Sequence, residues 1–265
     1  MGIRSRIRVS RGLVRAGLTV AILLSSSACA KPADVGRYSY MRVTLNGFQT
    51  LGVSVTDKLV RGVVVYFHDA GANEFVLTDN PTHLKLTSEL TDAGFAVISG
   101  SFGVSGFGDP AMVRSYLELG NAAATHYRAE NLYLLAESMG SLPAVSLLAS
   151  IGDSARVRGL AAIKPVLDLD AVGPRYEAAV AKPTVPGSNP MQLNPQSLRG
   201  RKIAFFVPPD NPQVATQVDS FNQRFGFSAA IDVFRCPEAA EAGATCFQGD
   251  EIVEWFKDAE HRGAP

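Results

Sequence analysis

The most constraining stretch of this chain is Leu132-Tyr-Leu-Leu-Ala-Glu-Ser-Met-Gly-Ser141. A short apolar run, Leu132 to Ala136, ends abruptly on Glu137-Ser138-Met139-Gly140, and residues of helical period follow at Leu142, Val145, Leu147 and Leu148. Strand, sharp turn, helix, with a serine at the turn, is the layout of a nucleophile elbow. The spacing has a steric reason. A serine on so tight a turn needs small residues two before and two after it, where strand and helix approach each other. Ala136 and Gly140 occupy those places. The bland alternative is an ordinary strand-to-helix turn that happens to contain a serine.

The flanking chain supplies elements of the same kind. Two alternating runs, 38–45 and 49–55, enclose Asn46-Gly47, a strong short-range hairpin signal. Residues 63–67 are apolar throughout, as expected of a strand buried on both faces. That strand ends at His68-Asp69-Ala70-Gly71. Further strands are expected over 95–99, 157–163, 202–207 and 227–234. Helices are expected over 81–93, 214–225 and 250–260, and from Asp109-Pro110 (a cap followed by a first-turn proline) to Tyr127. A hairpin followed by alternating strands and helices argues for the α/β class. One domain over 36–260 is expected, a doubly wound, mostly parallel sheet with helices on both faces and an N-terminal β-hairpin. Its ligand site should lie at the carboxyl ends of the strands. Residues 165–200 are proline-rich and irregular, and are expected to form a small cap or loop insertion. The glycine-rich stretch 100–108 lacks both G-x-G-x-x-G and a Walker lysine, so it reads as a flexible pocket wall rather than a phosphate loop.

The N-terminus stands apart. Arg4, Arg6, Arg8, Arg11 and Arg15 form a basic region without an acid, and a short apolar stretch and Ser25-Ser-Ser-Ala-Cys-Ala30 follow. Residues 1–29 therefore read as an export signal, too short to remain as a membrane span. Ser26-Ser27-Ala28-Cys29 resembles a lipobox, which would make Cys29 the lipid anchor at the cell membrane. Ala28-Cys29-Ala30 also satisfies the ordinary A-x-A rule, which would give a secreted protein. Removing the signal leaves 20 basic against 25 acidic residues, a net charge of −5. That balance argues against nucleic acid as a partner. Outside the cytoplasm thiols tend to pair, so Cys236 and Cys246 are expected to form a disulfide. Four scattered histidines and two paired cysteines give no metal-ligand spacing.

From about residue 63 to 256 the chain resembles the α/β-hydrolase superfamily, in particular its secreted serine esterase, lipase and peptidase-like members. Tyr66-Phe67-His68-Asp69-Ala70-Gly71 resembles the loop after the third strand that forms half of an oxyanion hole. Ala136-Glu137-Ser138-Met139-Gly140 resembles the elbow. Asp210 stands where such proteins carry their triad acid. The resemblance implies Ser138 as nucleophile, Asp210 as acid, and the backbone N–H groups of Met139 and Ala70 as oxyanion donors, with no cofactor. Removing one such donor costs about 3–4 kcal/mol of transition-state stabilisation. A small acyl or lipid substrate is implied as well.

Three departures matter. The superfamily's base is a histidine in the loop after the last strand, and residues 236–246 contain none. Candidate substitute bases are His68, Glu241 and His261, while His83 and His126 on their helices read as surface or second-layer residues. Asp69 replaces a glycine, and a carboxylate there opposes the charge the hole should stabilise unless it points away. Ser141 replaces another glycine, a mild change. Asp210 also has a bland reading as a helix-cap or Asx-turn residue between prolines. Two functions follow. One is an exported, lipid-anchored serine hydrolase acting on acyl esters or related carbonyl substrates. The other is a catalytically degenerate descendant that binds an envelope lipid, peptide or partner protein.

Overall fold

Among the described residues of the computed structural model (36–102, 107, 109–152, 156–171, 189–238 and 246–261), nine strands form one sheet. The expected signal segment 1–29 with Cys29, residues 172–188 of the expected insertion, most of the glycine-rich stretch and Glu241 lie outside those residues. The chain enters through β1 (Tyr38–Met41), β2 (Thr44–Leu45) and β3 (Phe48–Val55). Asn46 and Gly47 take φ of 51° and 84°, the left-handed pair that a two-residue hairpin turn requires. The expected first strand is interrupted at residues 42–43, where the Thr50 hydroxyl donates to the Val43 carbonyl at 2.9 Å. Such a side-chain contact competes with the regular ladder.

Six strands follow: β4 (Gly62–Phe67), β5 (Phe95–Gly100), β6 (Asn131–Glu137), β7 (Val157–Ile163), β8 (Lys202–Val207) and β9 (Ala230–Arg235). The sheet order is β1-β3-β5-β4-β6-β7-β8-β9, with β2 paired to β3. β3 runs antiparallel to β1 and β5. From β5 to β9 every pairing is parallel. After β4 the chain turns first to one side, for β5, and then crosses to the other, for β6. The loops after β4 and β6 therefore meet at a topological switch point, where ligands bind in open α/β sheets.

The crossovers are α1 (Pro81–Asp92), α2 (Pro110–Tyr127), α3 (Ser141–Ser150) and α4 (Pro212–Phe225), and α5 (Gly249–His261) closes the chain. Three of them begin alike. Asn80, Asp109 and Asn211 each cap a helix through the side-chain oxygen, and a proline follows at the first helical position. Proline loses nothing there, because that N–H has no intrahelical partner. The expected strand over 227–234 starts later, at Ala230. Residues 226–229 instead close the end of α4, with Ser228 and Ala229 N–H donating to the Phe225 carbonyl at 2.8 and 2.9 Å.

Period-two alternation explains the two layers. On one face Val63, Val65, Phe67, Leu132 and Leu134 pack with Tyr116 and Leu119 of α2, Leu142 and Val145 of α3, and Phe221 of α4. On the other face Val64, Tyr66, Tyr133 and Leu135 pack with Leu86 and Leu90 of α1 and Ile252 and Phe256 of α5. Both faces of β4 and β6 are thus buried, which is why these strands read as continuous apolar runs. Leu84 of α1 does not join this core and is exposed. Cys236 and Cys246 are bonded, with Cα atoms 5.0 Å apart. No described helix is long and apolar enough to cross a membrane.

Candidate active site

β6 delivers its last residue, Glu137, to the carboxyl edge of the sheet, and the chain then turns through Ser138–Gly140 directly into α3. Ser138 takes φ of 47°. A non-glycine residue in this left-handed region costs about 1–3 kcal/mol and persists only where its surroundings over-determine it. Those surroundings are visible. A Cβ placed on Gly140 would lie 2.1 Å from the Phe67 carbonyl oxygen and 2.7 Å from that of His68. Ala136 is completely buried, and the Val166 N–H donates to the Ser138 carbonyl at 3.1 Å. The half-buried Ser138 side chain thus stands on a strained turn clamped between the end of β4 and the segment after β7. Among the described residues, its hydroxyl has no hydrogen-bond partner.

The loop after β4 faces this turn. His68 is completely buried, with Nδ1 2.8 Å from the Asp69 carbonyl and Nε2 3.0 Å from the Gly100 carbonyl. Each ring nitrogen faces a backbone carbonyl, to one of which the neutral ring donates, and neither nitrogen bonds Ser138. Burial pulls the imidazole pKa below its ordinary value, against the opposing pull of the two carbonyls and of Asp69. Asp69 turns its carboxylate inward. Its Oδ1 accepts from the Ala70 N–H at 2.7 Å and from the Met139 N–H at 3.2 Å. The two groups expected as oxyanion donors are therefore brought together, and both point at one oxygen of Asp69.

The other candidates are more scattered. Asp210 lies on the exposed turn after β8, two strands away from β6. Its side chain has no hydrogen bond among the described residues, and the neighbouring Asn211, not Asp210, caps α4. His261 is the last residue of α5, and its side chain lies outside the described residues. His126 is exposed near the end of α2.

A second polar cluster was not expected. Glu137, one residue before Ser138, points to the opposite face of the sheet. There its Oε2 accepts from the Tyr66 hydroxyl at 2.9 Å and from His83 Nε2 at 2.8 Å. His83 Nδ1 lies 2.6 Å from Asn80 Nδ2. Lys164 Nζ is 3.8 Å from Glu137 Oε1 and 4.8 Å from the centre of the Phe247 ring. Burial pushes the Glu137 pKa up, but the hydrogen bond and charge of His83, with Lys164 and Tyr66, outweigh it and hold the carboxyl below its ordinary value. Burial, then the charge of Glu137, push the Tyr66 phenol well above its ordinary value, so it remains the donor. Period-two alternation in β6 could have placed Glu137 on this face. Nothing local pointed to its partner on α1.

Strand order, the antiparallel β3, and a serine on a left-handed turn between β6 and α3 together define the α/β-hydrolase fold, which is the fold of this chain. No family model matches the sequence, and no curated protein matches it either. Solved structures do. A fungal esterase from Rhizomucor miehei superposes with a TM-score of 0.65 at 16% identity, over 84% of each chain. Brefeldin A esterase, a bacterial homologue of human hormone-sensitive lipase, gives 0.61 at 16% identity, over 84% of this chain and 77% of that one. A hormone-sensitive lipase from a metagenome library gives 0.65 at 15% identity, over 84% and 85%. At such identities the likeness establishes the fold.

Proposed function

We propose that this chain is a catalytically degenerate α/β-hydrolase-fold protein that serves as a binding shell in the cell envelope. In this reading it is exported, held at the membrane by a lipid on Cys29, and takes up an envelope lipid, peptide or partner protein at the carboxyl ends of its strands. One observation carries the proposal: the elbow is formed, yet no described side chain bonds the Ser138 hydroxyl, and the imidazole of the neighbouring loop, His68, is sealed between two backbone carbonyls. A free serine hydroxyl is a weak nucleophile at neutral pH without an adjacent base. Losing a triad member costs about 10⁴-fold or more in rate.

A second reading keeps the chain as a serine hydrolase of small acyl esters. The strain at Ser138 and the tight packing of Gly140 favour it, since strained backbone concentrates at working sites. The names of the structurally similar esterases and lipases point the same way. Covalent labelling of the mature protein with a fluorophosphonate probe, beside Ser138→Ala, separates the two. A folded wild type that stays unlabelled is the expected result. Labelling that disappears in Ser138→Ala would establish an activated serine and end the degenerate reading.

A further inference from the structure

The geometry points to Asp69 as a resident plug of the oxyanion hole: its carboxylate takes the place of a ligand's oxyanion, and an intact anion site lies beneath it. The inference rests on reading Ser138–Gly140 as the elbow of an acyl-transfer site. Ala70 and Met139 belong to different loops, after β4 and β6, and their N–H groups converge on the single atom Asp69 Oδ1 at 2.7 and 3.2 Å. An aspartate that merely closed its own turn would need only the adjacent Ala70. The bond to Met139, 70 residues away, is what a local turn does not produce. Nor does the backbone ask for glycine at this place. In the loop 68–71 only Gly71 has positive φ, at 82°, so a side chain at 69 is tolerated and folds back into the hole.

Two N–H donors on one carboxylate oxygen are charge-assisted hydrogen bonds, roughly twice as strong as neutral ones. A ligand carbonyl arriving at Ser138 would find both donors taken and a negative charge in the position its own oxygen needs. The crevice therefore excludes acyl carbonyls and anions in the wild type. The donors themselves, fixed by the clamped elbow and by β4, remain in place.

The test follows the backbone amide signals of Ala70 and Met139 in ¹⁵N-labelled mature protein, with acetate as the probe anion. In the wild type neither amide should respond to acetate. In Asp69→Ala the two should shift together along one saturating curve. A wild type that responds like the variant, or a variant in which the pair stays silent, would overturn the proposal. Asp69→Asn covers the case in which the alanine variant does not fold. It keeps the acceptor and removes the charge, so both amide protons should move upfield together, and movement of Ala70 alone would reduce Asp69 to a local turn residue. Fluorophosphonate labelling of the wild type would end the degenerate reading but would leave these shifts to judge the plug by themselves.

Discussion

At the scale of single residues, the elbow depends on one missing methyl group. Gly140 packs against backbone, not against a flexible side-chain tip: the nearest atoms to a Cβ there are the Phe67 carbonyl and the His68 oxygen. Neither can move without shifting the end of β4. Gly140→Ala should therefore destabilise the fold by about 3 kcal/mol, the upper end of what overpacking costs, as measured by urea unfolding. A loss under about 0.5 kcal/mol, the range of ordinary surface changes, would mean that β4 and the elbow are not in contact. The need for a small residue at 140 was legible in the sequence, because a helix leaving a strand this sharply brings backbones together. The direction of the Asp69 side chain was not. Its effect on the hole turned on whether it points in or away, and that depends on where the Met139 N–H sits.

At the scale of elements, helix starts were readable and the buried polar cluster was not. Asp109-Pro110 specifies the start of α2 by local chemistry alone, and the structure begins that helix at Pro110. The Glu137–His83–Tyr66 cluster instead joins β6, α1 and β4 across 54 and 71 residues of chain. It ties the strand that carries Ser138 to the helix behind it. Glu137→Gln should cost about 2 kcal/mol at neutral pH, in the range of hydrogen bonds to charged groups. The pH dependence has a definite sign. The folded pKa of Glu137 lies below the ordinary 4.5. Its stabilisation is thus complete above pH 4.5 and fades as pH falls through the folded value. The gap between wild type and Glu137→Gln, measured by denaturation at several pH values, should narrow on acidification. A gap that widens below pH 4.5 would show that the carboxylate is not held in its charged form.

At the scale of the whole molecule, the proposed location is the point to test. In the proposed reading Cys29 carries the lipid, and because a single acyl chain gives only marginal membrane binding, stable anchoring needs a second chain or another membrane-binding signal beside it. Intact mass of the protein recovered from the membrane fraction of the expressing cell should correspond to a chain beginning at Cys29 with added lipid. Cys29→Ala should appear in the soluble fraction. An unmodified chain beginning at Lys31 would instead show ordinary cleavage and a secreted protein.

The sequence by itself determined the class of fold, the order of strands and helices, the serine turn, and the absence of a histidine in the loop after β9. Each of these follows from local patterns: period-two and helical spacing, caps, glycine and proline placement, and simple inventory. Only the tertiary structure decided that Asp69 Oδ1 collects the N–H groups of Ala70 and Met139, that His68 lies between the Asp69 and Gly100 carbonyls, and that His83 serves Glu137 and not Ser138. The physical reason is common to all three. A hydrogen bond between segments far apart in the chain depends on which backbone and side-chain groups the packed sheet brings within about 3 Å of each other, and no local pattern of residues encodes that meeting.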